Sequence, residues 1–151
     1  MKVKTLFFLL FTNALFAQNI LFEEVSTQNT QMRFYGFDYI SFDNLKIRGF
    51  LIRPKKEGKY PVIIFNRGGN REAGSVSLDM MTDFLSKIAD QGFIIIGSQL
   101  RGGARSEGHD EFGGKDINDV LSLLDIIKSL PYADSSKIGM LGISRGVMTN
   151  F

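Results

Sequence analysis

The sequence predicts an α/β domain in three layers: an antiparallel strand pair, then parallel strands joined by crossover helices. Three observations carry that prediction. Residues 32–53 hold two strand-like segments around a turn signal. Val62–Phe65, Phe93–Ile96 and Ile138–Leu141 are short and wholly apolar, as strands are in a parallel sheet covered by helices on both faces. The stretches between these runs repeat apolar residues at helical spacing.

Met32–Phe42 is rich in Phe, Tyr and Ile. Leu45–Arg53 alternates Leu45, Ile47, Gly49 and Leu51 against Lys46, Arg48, Phe50 and Ile52. Asp43-Asn44 between them is a turn signal, so the two segments read as an antiparallel pair. Asn19–Thr30 is polar and reads as a loose lead-in, and Pro54–Lys59 as a charged surface turn. Leu78, Met81, Leu85, Ile88 and Ala89 share one helical face, which Gly92 ends. Ile117, Val120, Leu121, Leu124 and Ile127 share a second, which Pro131 stops.

With 151 residues, 44% hydrophobic and 23% charged, the chain has the size and composition of one globular domain. The absence of cysteine excludes a disulfide framework, a thiolate metal site and a cysteine nucleophile. A single histidine, His109, excludes a multi-histidine metal site within this sequence. No metal and no organic cofactor is implied.

Residues 1–17 have the form of an export signal. Lys2 and Lys4 give a basic start, Leu6–Phe11 is an apolar run, and Ala14-Leu15-Phe16-Ala17 is the cleavage region. The run falls short of the ~20 apolar residues that a membrane span needs. The expectation is a periplasmic or extracellular protein with no membrane span after cleavage. Losing Lys2 and Lys4 brings the formal net charge from +2 to zero. With no basic cluster, nothing marks a nucleic-acid surface.

The chemistry is carried by Gly142-Ile143-Ser144-Arg145-Gly146, a G-x-S-x-G pattern. Five residues alone arise easily by chance, and their context strengthens them. A serine set on a sharp turn between a buried strand and a helix is a nucleophile elbow, and its small neighbours let strand and helix pass closely. Lys137–Leu141 supplies the strand, and Arg145–Phe151 can begin the helix. Upstream, the first apolar strand runs into Asn66-Arg67-Gly68-Gly69-Asn70. A glycine pair there lets backbone N–H groups approach a substrate carbonyl oxygen, although a plain strand-to-helix turn has the same composition. The candidate site is therefore Ser144 as nucleophile, with the backbone N–H groups of Gly69 and Arg145 as the oxyanion hole.

Taken in order, Tyr60–Phe65, Gly68-Gly69, Leu100–Gly103, Gly113–Val120 and Asp134–Gly146 resemble the catalytic domain of the prolyl oligopeptidase family of serine peptidases. The resemblance covers about residues 60–147. It implies an α/β-hydrolase fold and cleavage of peptides through an acyl-enzyme. Dienelactone-hydrolase-like enzymes and carboxylesterases share much of the pattern, so the substrate is a peptide or an ester. A non-catalytic binding module with the same fold is a further reading. The chain departs from the family in having Arg67 where many members have histidine, and Val147 where many have glycine. Residues 18–59 are too few for the large β-propeller that often precedes the domain.

The resulting division is a signal peptide at 1–17, N-terminal strands of the hydrolase sheet at 18–59, and the N-terminal part of the catalytic domain at 60–151. In this fold the triad runs serine, acid, histidine, which places the last two after Phe151. Without a base the serine is a poor nucleophile, so the expectation is an incomplete sandwich, a fragment inactive alone. His109, in the loop 105–111 before the serine, reads as a solvated surface group. Arg101 and Arg105 read as pinning loops through salt bridges, with contact to a substrate carboxylate as the alternative. Asp116 and Asp119 read as acids favoured at a helix start by its dipole. The Arg145 side chain is expected at the pocket.

Overall fold

A computed structural model describes residues 19–150, so the export signal read at residues 1–17 lies outside the described residues. A mixed six-stranded sheet forms the middle layer. Strand β1 is Phe22–Val25, β2 Met32–Ile40, β3 Lys46–Pro54, β4 Tyr60–Asn66, β5 Ile94–Ser98 and β6 Ala133–Gly142. Their order across the sheet is β1-β2-β3-β5-β4-β6. The β1–β2, β2–β3 and β3–β5 pairs are antiparallel, and β5, β4 and β6 run parallel.

The hairpin of β2 and β3 pairs from Met32↔Pro54 to Ile40↔Lys46. Its turn falls at Asp43-Asn44 as the sequence indicates, with Asn44 at φ 65°. Strand β1 lies inside the segment read as a loose lead-in. Two glutamates hide its pattern, yet each finds a cation across the sheet. Glu23 meets Arg48 at 2.7 Å and Glu24 meets Arg33 at 3.4 Å. Phe22 packs its ring 4.8 Å from that of Phe37. Cross-strand pairs of this kind, rather than intrinsic propensity, stabilise a short edge strand.

The apolar runs of β4 and β5 are buried on both faces, for the reason inferred from sequence, whereas Ile138–Leu141 in β6 is only half-buried at Ile138 and Leu141 and exposed at Gly139 and Met140. Val62, Ile64, Ile94 and Ile96 belong to one core with Phe37, Ile47 and Leu51. Phe65 and Ile95 belong to the opposite core with Phe34, Phe50 and Ile52. The first core is closed by α2, Asp116–Leu121, and α3, Leu123–Ser129. The second is closed by a π-helical turn, Met80–Leu85, that continues into α1, Ser86–Ala89. Met81, Leu85 and Ala89 are its buried face, whereas Leu78 is exposed. Gly92 ends the helix at φ 92°, with its N–H on the Ala89 carbonyl at 2.9 Å.

The second helix differs from the sequence reading. It is interrupted at Ser122, whose hydroxyl donates to the Asn118 carbonyl at 2.6 Å and accepts the N–H of Phe42 at 2.9 Å. A serine bonded to its own helix and to the β2–β3 turn competes with helical continuity. The buried stripe shifts accordingly to Val120, Leu123, Ile126 and Ile127, and Leu121 is 37% exposed. Leu130, ahead of Pro131, is extended and stops α3.

Strand β6 begins earlier than its apolar run. Pro61 pairs with Asp134 and Val62 already with Ile138, so Ser135–Lys137 bulges out of the ladder. Among the described residues β6 pairs only with β4, and it forms one edge of the sheet.

The displaced stripe is testable. Leu123, fully buried, should cost about 2–5 kcal/mol when changed to alanine. Leu121→Ala should cost under about 1 kcal/mol. Chemical denaturation of the two variants measures the difference; equal losses would contradict the interrupted helix.

Candidate active site

The parallel strands β4, β5 and β6 deliver their C-terminal ends to the same edge of the sheet, where ligands bind in open α/β folds. The elbow follows β6. Ser144 has φ 54° and is exposed at the head of a 3₁₀ helix, Ser144–Asn150. A serine in the left-handed region costs on the order of 1–3 kcal/mol and persists only where its surroundings over-determine it. They do so here. The Ile143 N–H donates to the Asn66 carbonyl at 3.2 Å, and the Gly146 N–H to the Ile143 carbonyl at 2.9 Å. A Cβ on Gly146 would run into the carbonyl of Asn66, so glycine is required where the helix crosses the end of β4.

The glycine loop after β4 lies against this turn. A Cβ on Gly68 would stand 3.2 Å from the Ser144 Cβ. Gly69 has φ 68°, and a side chain there would strike the Ala73 carbonyl. The structure thus brings Ser144, Arg145 and the Gly68-Gly69 loop together, as the sequence indicates. The N–H of Arg145 sits in the first turn of the 3₁₀ helix, where backbone donors have no partner within the helix.

The Arg145 side chain does not line a pocket. It is 6% exposed and folds into the protein. Its guanidinium donates to the Gly69 carbonyl at 3.0 Å, to Asp110 Oδ2 at 2.8 Å, and to Asp116 Oδ2. It also stacks 4.5 Å from the centroid of the Phe112 ring. Asp116 is fully buried at the start of α2 and accepts the Gly113 N–H at 3.0 Å. Burial pushes Asp110 up, but hydrogen bonds from Arg145 and from the backbone of Arg71 and Phe112 outweigh it and hold the carboxyl at about 2.

Arg67, singled out in the sequence only as a departure from histidine, is 1% exposed. Its guanidinium donates to four backbone carbonyls: Gln99 at 2.6 Å, Gly68 at 3.1 Å, Ala73 at 3.1 Å and Arg71 at 2.8 Å. Burial, and then the charge of Arg145, lower its proton affinity.

Arg101, Asp43 and Asp119 form a structural cluster. Arg101 binds Asp119 at 2.7 Å and Asp43 at 2.7 Å, which leaves no open fork for a substrate carboxylate. Asp43 is held far below the usual carboxylate range by Arg101. Burial pushes Asp119 up, against the opposing pull of Arg101. The Tyr39 hydroxyl donates to the Asp119 carbonyl at 2.6 Å and meets Ser98 Oγ at 2.8 Å. Asp116 and Asp119 do stand in the first turn of α2, and each also holds a buried arginine. Arg105 and His109 are exposed. Among the described residues, no histidine or carboxylate hydrogen-bonds to Ser144.

The comparisons with known proteins bear on the fold and the family. The family model described as "X-Pro dipeptidyl-peptidase (S15 family)" matches residues 43–151. The chain belongs to the S15 family. It is 31% identical over 97 residues to dipeptidyl-peptidase 5 of Porphyromonas gingivalis, covering 60% of this chain and 14% of that protein. Acetyl xylan esterase 1 from Thermoanaerobacterium sp. JW/SL YS485 is similar in fold, with a TM-score of 0.68 and 23% identity. The match covers 87% of this chain and 47% of that one. An acetyl xylan esterase from Paenibacillus sp. R4 gives a TM-score of 0.67 at 19% identity, over 85% and 46% of the two chains. The S15 chain therefore spans about half the length of these solved structures and a much smaller part of the curated relative. Its fold is that of an α/β-hydrolase, and its family is one of hydrolases.

The Arg145–Asp110 pair makes stability depend on acidity. Asp110 takes its proton near 3.8 when unfolded and only at about 2 when folded. The stability it contributes is complete above pH 4, and about 2 kcal/mol of it is lost as the pH falls toward 2. Denaturation at stepped pH should show this slope in the native protein and a flatter one in Asp110→Asn. The same slope in both would contradict the pairing.

Proposed function

We propose that this chain carries the nucleophile and oxyanion hole of an exported serine peptidase that acts through an acyl-enzyme. Ser144 Oγ attacks the carbonyl carbon of an amide, and the N–H groups of Gly69 and Arg145 receive the negative charge that develops on its oxygen. Collapse of the tetrahedral intermediate expels the amine, and water then releases the acyl group. The base that takes the serine proton is assigned to polypeptide after Ser144, following the serine–acid–histidine order of the fold. Exposed and earlier in the chain, His109 is not given that role.

One observation carries the reading: a serine at φ 54° held in a turn between a strand and a helix, against a glycine loop. Membership of a family described as dipeptidyl peptidases supports peptides as substrates, with a proline-directed specificity. The ordered motifs that resemble prolyl oligopeptidases support the same class. Export rests on the basic and apolar pattern of residues 1–17.

The full-length protein should release a chromogenic amine from Xaa-Pro dipeptide substrates, and Ser144→Ala should lower kcat/KM by about 10⁴-fold or more. Turnover of short acyl esters alone would make it a carboxylesterase. No turnover of either class would favour a non-catalytic module.

A further inference from the structure

We infer that Arg67 is a positioning residue for catalysis: its buried guanidinium sets the direction of the Gly69 N–H. The inference rests on the reading of Ser144 as nucleophile and Gly69 as oxyanion donor. The carbonyl of Gly68 and the N–H of Gly69 belong to one planar trans peptide, in which they point in opposite directions. The Arg67 guanidinium draws the Gly68 carbonyl inward at 3.1 Å. The Gly69 N–H is thereby turned away from Arg67. Arg145 grips the next carbonyl, that of Gly69, at 3.0 Å. Two consecutive peptide planes of the loop are thus each held by a separate arginine.

Glycine-rich loops need such a hold. Gly68 and Gly69 have no side chains to lock the backbone, and a peptide plane between two glycines rotates at little steric cost. The other contacts of Arg67, to the carbonyls of Gln99, Ala73 and Arg71, anchor its guanidinium at the end of β5 and across the loop. None of its hydrogen bonds goes to a carboxylate. The side chain acts as a multi-donor bracket for carbonyls, which requires the planar fork of arginine. An ammonium, with its donors on one atom, cannot span the same set.

The test uses the full-length enzyme with whichever ester or amide it turns over. Arg67→Lys and Arg67→Met should lower kcat by about 10- to 100-fold with KM changed less than about threefold, because an oxyanion donor acts mainly in the transition state. Folded variants with unchanged kcat, or full rescue by lysine, would overturn the inference. A Ser144→Ala enzyme of full activity would overturn it together with the serine reading. An inactive Ser144→Ala beside normal Arg67 variants would overturn the bracket alone. If the Arg67 variants do not fold, the crystal structure of a phosphonate adduct of the native enzyme decides. The phosphonyl oxygen should accept from the Gly69 N–H while the Gly68 carbonyl stays on Arg67. A flipped Gly68–Gly69 peptide, or an oxygen bound elsewhere, would overturn it.

Discussion

The guanidinium of Arg145 ties together three segments that are far apart in the chain. It leaves the elbow one residue after Ser144 and reaches the Gly69 carbonyl, Asp110 and Asp116. The glycine loop and the long loop after β5 are therefore held against the elbow by one side chain. Neither loop has the apolar residues to pack itself: both are rich in glycine and polar groups, and most of their residues are exposed or half-buried. Ion pairs and charge-assisted hydrogen bonds take over the role that Leu and Ile play beneath the sheet.

Burying charge is costly unless every group is paired. Around the elbow two arginines, Arg67 and Arg145, are set against two carboxylates, Asp110 and Asp116, so the cluster is balanced. Arg145 takes both carboxylates, and Arg67 takes carbonyls alone. A second cluster does the same work on the other side of the β5 exit. There Arg101 joins the β2–β3 turn, through Asp43, to the start of α2, through Asp119, with Tyr39 bonded beneath it. Removing Arg145 would strand Asp116, and removing Arg101 would strand Asp119, in a buried place, which is costlier than the loss of a surface ion pair.

What was legible in the sequence follows from which forces act locally. The apolar runs at Val62–Phe65 and Phe93–Ile96 announce strands because burial on both faces leaves little room for polar residues, whereas Ile138–Leu141 is equally apolar but stands on the edge strand β6 with Met140 exposed. The elbow was legible because Gly142 and Gly146 answer a steric demand set by adjacent elements. Strand β1 was not, since Glu23 and Glu24 become strand residues only through Arg48 and Arg33 on neighbouring strands. The break at Ser122 depends on a hydrogen bond from Phe42, eighty residues away. The inward turn of Arg145 depends on Asp110 and Asp116, whose burial nothing in a loop sequence announces. Arg67 stood out only as a residue in the place of a histidine; its run of carbonyl partners exists only in three dimensions.

The serine at the elbow is the claim on which the catalytic reading stands. The direct measurement is peptide mapping by mass spectrometry of the full-length protein after reaction with a fluorophosphonate. A single phosphonyl group should appear on the peptide containing Ser144 and be absent from Ser144→Ala. Modification of another residue, or the same labelling in the variant, would contradict the assignment of Ser144 as the nucleophile.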